Sequence, residues 1–481
     1  MQNLWSHTGR GIAVSALALA LTACQSMRGP EPVAQASIPS SYTAAASGTS
    51  VAEQGYKDFF ADQRLLQVLD MALNNNRDLR TATLNIQRAQ QAYQITENNQ
   101  LPTIGASGGV LRQDQGTALG THTRYNVGLG VTAYELDFWG RVRSLKDNAL
   151  DNFLATQSSR DATQIALIGQ VAQAWLNYSF ANANLKLADQ TLKTQLESYN
   201  LNKKRFDVGI DSELPVRQAQ ISVETARNDV ANYKTQVAQA QNLLNLLVGE
   251  QVPSALLPTQ RVTHITKTTA IGAGLPSDLL NNRPDIRTAE YRLSAAGANI
   301  GAAKARLFPS ISLTGNAGYA STDLSDLFKS GSFVWAVGPS IDLPIFDWGT
   351  RQANIKISET DQQIALADYE KSIQSAFREV NDALAVRQNI GDRLAAQKRL
   401  VDATNTTYKL SNARFRAGID NYLTVLDAQR TSYAAEQGLL LLEQANLNNQ
   451  VELYKSLGGG VKANTSDATS QPASSAERKA Q

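Results

Sequence analysis

The feature that most restricts what this chain can fold into is that it contains itself twice. Asn75-Asn76-Arg77-Asp78-Leu79-Arg80-Thr81-Ala82 returns as Asn281-Asn282-Arg283-Pro284-Asp285-Ile286-Arg287-Thr288-Ala289. Leu101-Pro102 returns as Phe308-Pro309, and Trp139-Gly140 as Trp348-Gly349. Arg205-Phe206-Asp207-Val208-Gly209-Ile210-Asp211 returns as Arg414-Phe415-Arg416-Ala417-Gly418-Ile419-Asp420. The landmarks keep their order at an offset of about 206 to 209 residues, so one half is a structural copy of the other.

Each half has the same internal grammar. A helical pattern over 63–100, and again over 276–307, ends at a proline, which lacks the N–H that a helix interior needs. Segments of period two follow. Tyr125, Val127, Leu129, Val131 and Ala133 alternate with small or polar residues, as do Ile311, Leu313, Gly315, Ala317 and Tyr319. Such alternation gives a strand one apolar and one polar face. Partner strands are expected near 103–112 and 332–343, which places two strands within 103–137 and two within 310–344. Next comes a helix from Arg141 to Arg205 without a proline, matched by one from Thr350 to Arg414. At ~1.5 Å per residue each spans about 100 Å. Val216, Ala219, Val223, Ala226, Val230, Tyr233, Val237, Ala240, Leu244 and Leu247 step by three and four, a heptad seam on the returning helix. Leu426, Tyr433, Leu440 and Leu447 repeat every seven in the second half. Gly209 and Gly418 stand where each hairpin must turn, a place for a positive φ.

Four strands cannot close a barrel, and lipid does not tolerate open sheet edges. Either the strands form a water-soluble sheet or several chains pool them, and three chains would supply twelve. No apolar run beyond the N-terminus is long enough for a helical span, a fact silent about barrel strands. The formal charge is +2, which leaves no electrostatic footprint for nucleic acid. The three histidines, His7, His122 and His264, have no metal spacing or nucleophile constellation around them, which argues against an enzyme.

The N-terminus reads as an export signal over 1–23, with Arg10 ahead of the apolar Gly11 to Leu21. Leu21-Thr22-Ala23-Cys24 resembles a bacterial lipobox, so Cys24, the only cysteine, is the expected site of S-diacylglycerol and N-acyl lipid. Gln25 in place of aspartate points to the outer membrane. A lipidated tether over 24–62, a first repeat over 63–275, a second over 276–457 and a disordered tail over 458–481 complete the expected division. Arg205 and Arg414, near helix C-termini, are accounted for by the macrodipole alone.

The acylation site, the Trp-Gly strand-to-helix junctions and the paired Arg-Phe-x-x-Gly tips resemble the outer-membrane factors of Gram-negative tripartite efflux pumps, the TolC and OprM group. The strongest motif is Ala417-Gly418-Ile419-Asp420-Asn421-Tyr422-Leu423-Thr424-Val425-Leu426-Asp427-Ala428-Gln429. The resemblance implies an α+β membrane protein. Its homotrimer would pair a twelve-stranded transmembrane β-barrel with a continuous twelve-helix periplasmic α-barrel. A belt of mixed structure would take 53–75, 250–278 and residues near the C-terminus. The implied partners are outer-membrane lipid, a periplasmic membrane-fusion adaptor and an inner-membrane resistance-nodulation-division (RND) transporter; no cofactor is implied beyond the lipid on Cys24.

The resemblance also assigns roles. The periplasmic gate maps onto Asp427 and, one turn earlier, Leu423. Three Asp427 carboxylates at one axis would resist full ionisation and invite a cation. Read without the resemblance, Asp427 is a solvated carboxylate or a helix partner of Arg430. Its first-half counterpart is Gln218, so the halves differ there. Val208, Gly209 and Ile210, with Ala417, Gly418 and Ile419, resemble the adaptor-docking tips. The expected function is a passive exit duct for drugs and other small toxic compounds. A duct for metal cations or secreted proteins, and a periplasmic coiled-coil structural lipoprotein, remain as alternatives.

Overall fold

The computed structural model describes residues 27–35, 42, 49–50, 54–114, 120–267, 271–272 and 278–460. Cys24, the export signal and most of the tail beyond 458 lie outside these residues. The labelled elements run α1 (Gln63–Asn75), α2 (Arg77–Asn98), β1 (Ile104–Asp114), β2 (Thr121–Glu135), α3 (Arg141–Asp207), α4 (Glu213–Val248), α5 (Pro284–Ala305), β3 (Ser310–Ser321), β4 (Phe333–Asp342), α6 (Thr350–Arg416) and α7 (Tyr422–Ser456). No described helix is long and apolar enough to cross a membrane.

The first of two compact units takes Leu84–Gln157 and Thr288–Lys371 together with 27–35. Its centre is a four-stranded antiparallel sheet in the order β1-β2-β3-β4, so β1 and β4 each have a single neighbour. The register keeps the apolar alternation on one face: Ile104 faces Val131, Val127 faces Tyr319, and Tyr319 faces Phe333. That face is uncovered, with Leu129, Trp335, Val337 and Ile341 all largely exposed. The β2–β3 register slips between Val131 and Tyr134, and Ala133 adopts φ 50° there. This is a bulge, and it shifts the strand's alternation by one residue before the junction with α3.

At that junction Trp139 is tucked in. Its ring stacks on Phe308 at 4.7 Å, and its Nε1 donates to the Pro309 carbonyl at 2.8 Å. Arg141 donates to Glu135 through Nε and Nη2. The corresponding Trp348 is 88% exposed at φ 55°, with its ring beside that of its near neighbour Phe346 at 4.5 Å. In the same unit the segment at Arg28 lies on α5. Arg28 donates to the Ser294 carbonyl at 2.9 Å, and the Ser294 hydroxyl donates to Asp151 at 2.6 Å.

The second unit holds Ser158–Arg287 with described parts of 36–83 and 372–460. Its core gathers Phe59, Phe60 and Tyr454, with Phe59 stacked on Tyr454 at 4.4 Å, and Trp175, whose Nε1 donates to the Leu256 carbonyl. Thr49–Ser50 pairs in parallel with Ile271–Gly272. The expected single helix over 63–100 is two, because Asn76 takes an extended ψ of 131° and its side chain accepts from the Leu79 N–H. That is an N-cap, and it restarts the helix after the break. In the second half Asp278–Asn282 stops before Pro284, which opens α5 at the position where proline's missing N–H costs nothing.

The duplication is visible in contacts. Gly249, at φ 82°, approaches Asn75 so closely that a Cβ would lie 2.4 Å from its carbonyl oxygen. Gly458, at φ 101°, does the same to Asn282, with a Cβ 2.8 Å from the oxygen. Residues 458–460 are therefore a packed turn, and the Gly459 carbonyl accepts from the Tyr454 hydroxyl at 2.6 Å. On α4 the seam residues Val216, Ala219, Val223, Ala226, Val230, Ala240 and Leu244 are buried. Its last step falls on Val248 rather than Leu247, because the helix is capped by Gly249 and turns its end toward Asn76.

Candidate functional site

The two tips are built by the same backbone device. Gly209 and Gly418 adopt φ 75° and 74°. The Ile210 N–H then reaches back to the Arg205 carbonyl, and the Ile419 N–H to the Arg414 carbonyl, both at 2.9 Å. These six-to-one bonds with a left-handed glycine are Schellman closures, which satisfy carbonyls that the helix end would leave bare. Six residues past each arginine an aspartate completes the turn. Arg205 Nε donates to Asp211 at 2.5 Å, and Arg414 donates to both carboxylate oxygens of Asp420 at 2.7 and 3.0 Å. The hydrogen bond from Arg414 holds the Asp420 carboxyl below its ordinary range. The macrodipole reading of Arg205 and Arg414 is thus corrected: both arginines have a partner, because the turn brings residue i+6 beside the guanidinium. The recurrence of Arg-x5-Asp in both tips was the signal.

Each tip presents apolar residues outward. Val208, Ile210, Leu214 and Ile419 are 64–69% exposed. Ala417 and Gly418 are exposed with them. Behind the tips lies a small core of Ala219, Phe415, Tyr422, Val425 and Leu426, against which Tyr199, Leu201 and Tyr408 pack. It joins the two hairpins, since Ala219 belongs to α4 and the rest to the second tip and α7. The Arg205 guanidinium lies 5.1 Å above the Phe415 ring, a second tie between hairpins. Burial pushes the Tyr422 phenol up to about 12. Higher up, Tyr433 donates to Asp229 at 3.3 Å and Gln437 to the Tyr233 hydroxyl at 2.8 Å. Phase alone did not reveal these polar ties between α4 and α7.

The first turns of α7 are two-sided. Asn421 caps the helix by accepting from the Thr424 N–H. Tyr422, Val425, Leu426 and Gln429 are buried, while Leu423, Asp427 and Arg430 share the exposed side. That spacing of four and three residues places them on one stripe. Asp427 stands outside any ion pair with Arg430 among the described residues, so the helix-partner reading is not realised. Gln218, at the matching place on α4, is half-buried. Among the described residues no group of three histidines, cysteines, aspartates or glutamates could hold a metal within one chain.

Comparison with known proteins agrees with this architecture. The profile of the family described as "Outer membrane efflux protein" matches residues 68–250 and 275–459, one stretch for each repeat. The chain is similar to the antibiotic efflux pump outer membrane protein ArpC of Pseudomonas putida, at 44% identity over 428 residues, 88% of each chain. It is also similar to the cation efflux system protein CusC of Escherichia coli O157:H7, at 38% identity over 455 residues, covering 92% of this chain and 97% of that one. Among solved structures, the open state of the MtrE outer membrane channel of Neisseria gonorrhoeae superposes with a TM-score of 0.84 at 38% identity. That match covers 92% of this chain and all of the other. A non-enzymatic outer-membrane channel with a periplasmic helical portion, working with other components of an efflux pump, is what the repeats, the sheet and the hairpins make up. The chain belongs to the outer membrane efflux protein family.

Proposed function

We propose that three copies pool their sheets into a twelve-stranded barrel across the outer membrane, and that their hairpins form a twelve-helix periplasmic tunnel. The duct is passive. Drugs and other small toxic compounds enter it from a periplasmic membrane-fusion adaptor and an inner-membrane RND transporter, and leave to the outside. The observation that carries this reading is the sheet: four strands, two edges with a single neighbour each, and an apolar face left uncovered. Such a surface is costly in water and matches a lipid-facing wall.

Cys24 carries the lipid anchor in this reading. The tips Val208–Gly209–Ile210 and Ala417–Gly418–Ile419 dock the adaptor, and Leu423 with Asp427 narrows the periplasmic aperture. The relatives' names cover antibiotics and cations, so the cargo is decided by experiment. Expression with a cognate adaptor and pump, in cells lacking their own channel, should raise antibiotic and dye tolerance. Tolerance gained for metal salts alone would transfer the duct to cation traffic, and a monomer that forms no pore in planar lipid would end the duct reading.

A further inference from the structure

The uncovered Trp348 and the two sheet edges have a partner already drawn inside the chain. We propose that β4 of one copy pairs with β1 of the next so that Ile341 faces Gly108, and that Trp348 seats on Leu101 and Pro102 of that neighbour. The inference rests on the trimeric reading above and adds to it a register and a contact.

The template is the β2–β3 join. There, Leu136 N–H donates to the Ile311 carbonyl at 2.8 Å. Beside that bond, Trp139 stacks on Phe308 and donates to the Pro309 carbonyl. Every residue of this join has a copy. Pro309 repeats Pro102 at an offset of 207, and Trp348 repeats Trp139 at an offset of 209. The same two offsets relate the Asn75–Gly249 and Asn282–Gly458 contacts in space, one residue past the 206 at which the asparagine motif itself repeats, the difference being the inserted Pro284. Those contacts lie within a repeat. The Trp139 contact crosses from the first repeat to the second, so its image must run from the second repeat to a first repeat. Inside one chain β1 and β4 are opposite edges of the sheet, and Leu101 and Trp348 are both left exposed. A second copy supplies the missing first repeat.

The image of the Leu136–Ile311 bond is Ile345 against Ile104. Counting along antiparallel strands from there sets Leu343 opposite Ala106, Ile341 opposite Gly108 and Pro339 opposite Val110. An independent check is the face. In the β3–β4 pair, Ile341 and Pro339 share a side with Ile311 and Leu313; in the β1–β2 pair, Ile104 and Val110 share a side with Val131 and Tyr125. The derived register joins these two apolar sides. A slip of one residue would set Ile341 against Ser107 or Gly109 and turn the apolar side of one strand against the polar side of the other. The bulge at Ala133 matters here: β2 is displaced by one residue beyond it, whereas β4 pairs without a register shift, so only the register near the junction carries over.

Paired cysteines in the full-length chain test this directly, with the chain containing only native Cys24 as background. Ile341→Cys with Gly108→Cys should give covalently linked dimers and trimers on oxidation in outer membranes. A Cβ at Gly108 meets nothing nearer than 3.8 Å, so the substitution is tolerated. Ile341→Cys with Ala106→Cys or Val110→Cys should stay near background. Efficient linkage by either slipped pair, with the trimer intact, would overturn the register and leave the trimeric reading standing. No linkage by any pair from a monomeric protein would overturn both. For the Trp348 seat, Trp348→Ala and Leu101→Ala should each lower the temperature at which the trimer dissociates, and the double variant should lose little more than the worse single one. Additive losses would show that the two side chains do not meet.

Discussion

The two tips share a backbone and differ in what they carry. Both close on a left-handed glycine and both clamp an aspartate six residues past an arginine. Yet Arg205 is 24% exposed and covers Phe415, whereas Arg414 is 55% exposed and lies over no aromatic ring among the described residues. Phe415 is buried in the inter-hairpin core, while its counterpart Phe206 is 42% exposed. The first tip is thus a brace for the second. Downstream, Leu214 and Leu423 are both exposed, but Gln218 answers Asp427, so only the second hairpin carries an acid on the outward stripe. Duplication preserved the turn, which depends on backbone geometry, and let the two copies diverge where side chains meet different neighbours.

The largest expected effect tests what the tips still share. Gly418→Asp should weaken adaptor binding by about tenfold or more, roughly 1.4 kcal/mol per decade, and leave the oligomer intact. Gly209→Asp should do the same if both tips dock. Co-purification with the adaptor measures this, and normal binding by both variants would remove the tips from the docking surface. The next effect probes what differs. Leu423→Ala with Asp427→Ala should raise single-channel conductance in planar bilayers, while Leu214→Ala with Gln218→Ala should leave it unchanged. Equal responses would mean that the asymmetry has no bearing on the aperture.

Smaller effects concern the brace. Arg205→Ala should destabilise the tip by about 1–3 kcal/mol, since it removes a charge-assisted bond and a guanidinium stacked on a buried ring. Arg414→Ala should cost less than Arg205→Ala, because its pair with Asp420 is exposed and screened by solvent. Hydrogen exchange at the tip amides would rank them, and a larger loss from Arg414 would invert the brace assignment. The smallest effect is in pH. The Asp420 carboxyl titrates below its ordinary value in the folded chain, held by Arg414. Its contribution is therefore present above the ordinary carboxylate range near pH 4 and is lost as pH falls below it. Exposure keeps it slight, and Asp420→Asn should flatten the acid limb of tip protection without changing it near neutrality.

Much of this was legible beforehand because it is written in short-range spacing. The heptad on α4 marked the buried side, and the alternation in 125–133 and 311–319 marked strands. The repeat of Gly209 as Gly418 marked the turns. What could not be read were pairings between distant segments. Asn76 looked like a mid-helix residue, and its role as a cap depends on the Leu79 N–H it faces and on the Leu247 carbonyl it also reaches. Arg283, buried and bound to Asp285, Glu379 and the Ser456 carbonyl, sits in the same motif as the exposed Arg77. Similar local sequence, differing by the inserted Pro284, met different surroundings.

Spacing along the chain was enough to determine that this protein repeats, that each copy holds two strands and a long hairpin, and that the hairpins turn on glycine, since each follows from covalent periodicity and a local φ preference. Folding in three dimensions alone decided that β2 lies beside β3, that Trp139 is covered while Trp348 is bare, and that Arg205 rests on Phe415. Those outcomes depend on which residues hundreds of positions apart come within van der Waals reach, and no periodicity in one segment encodes its distant neighbour.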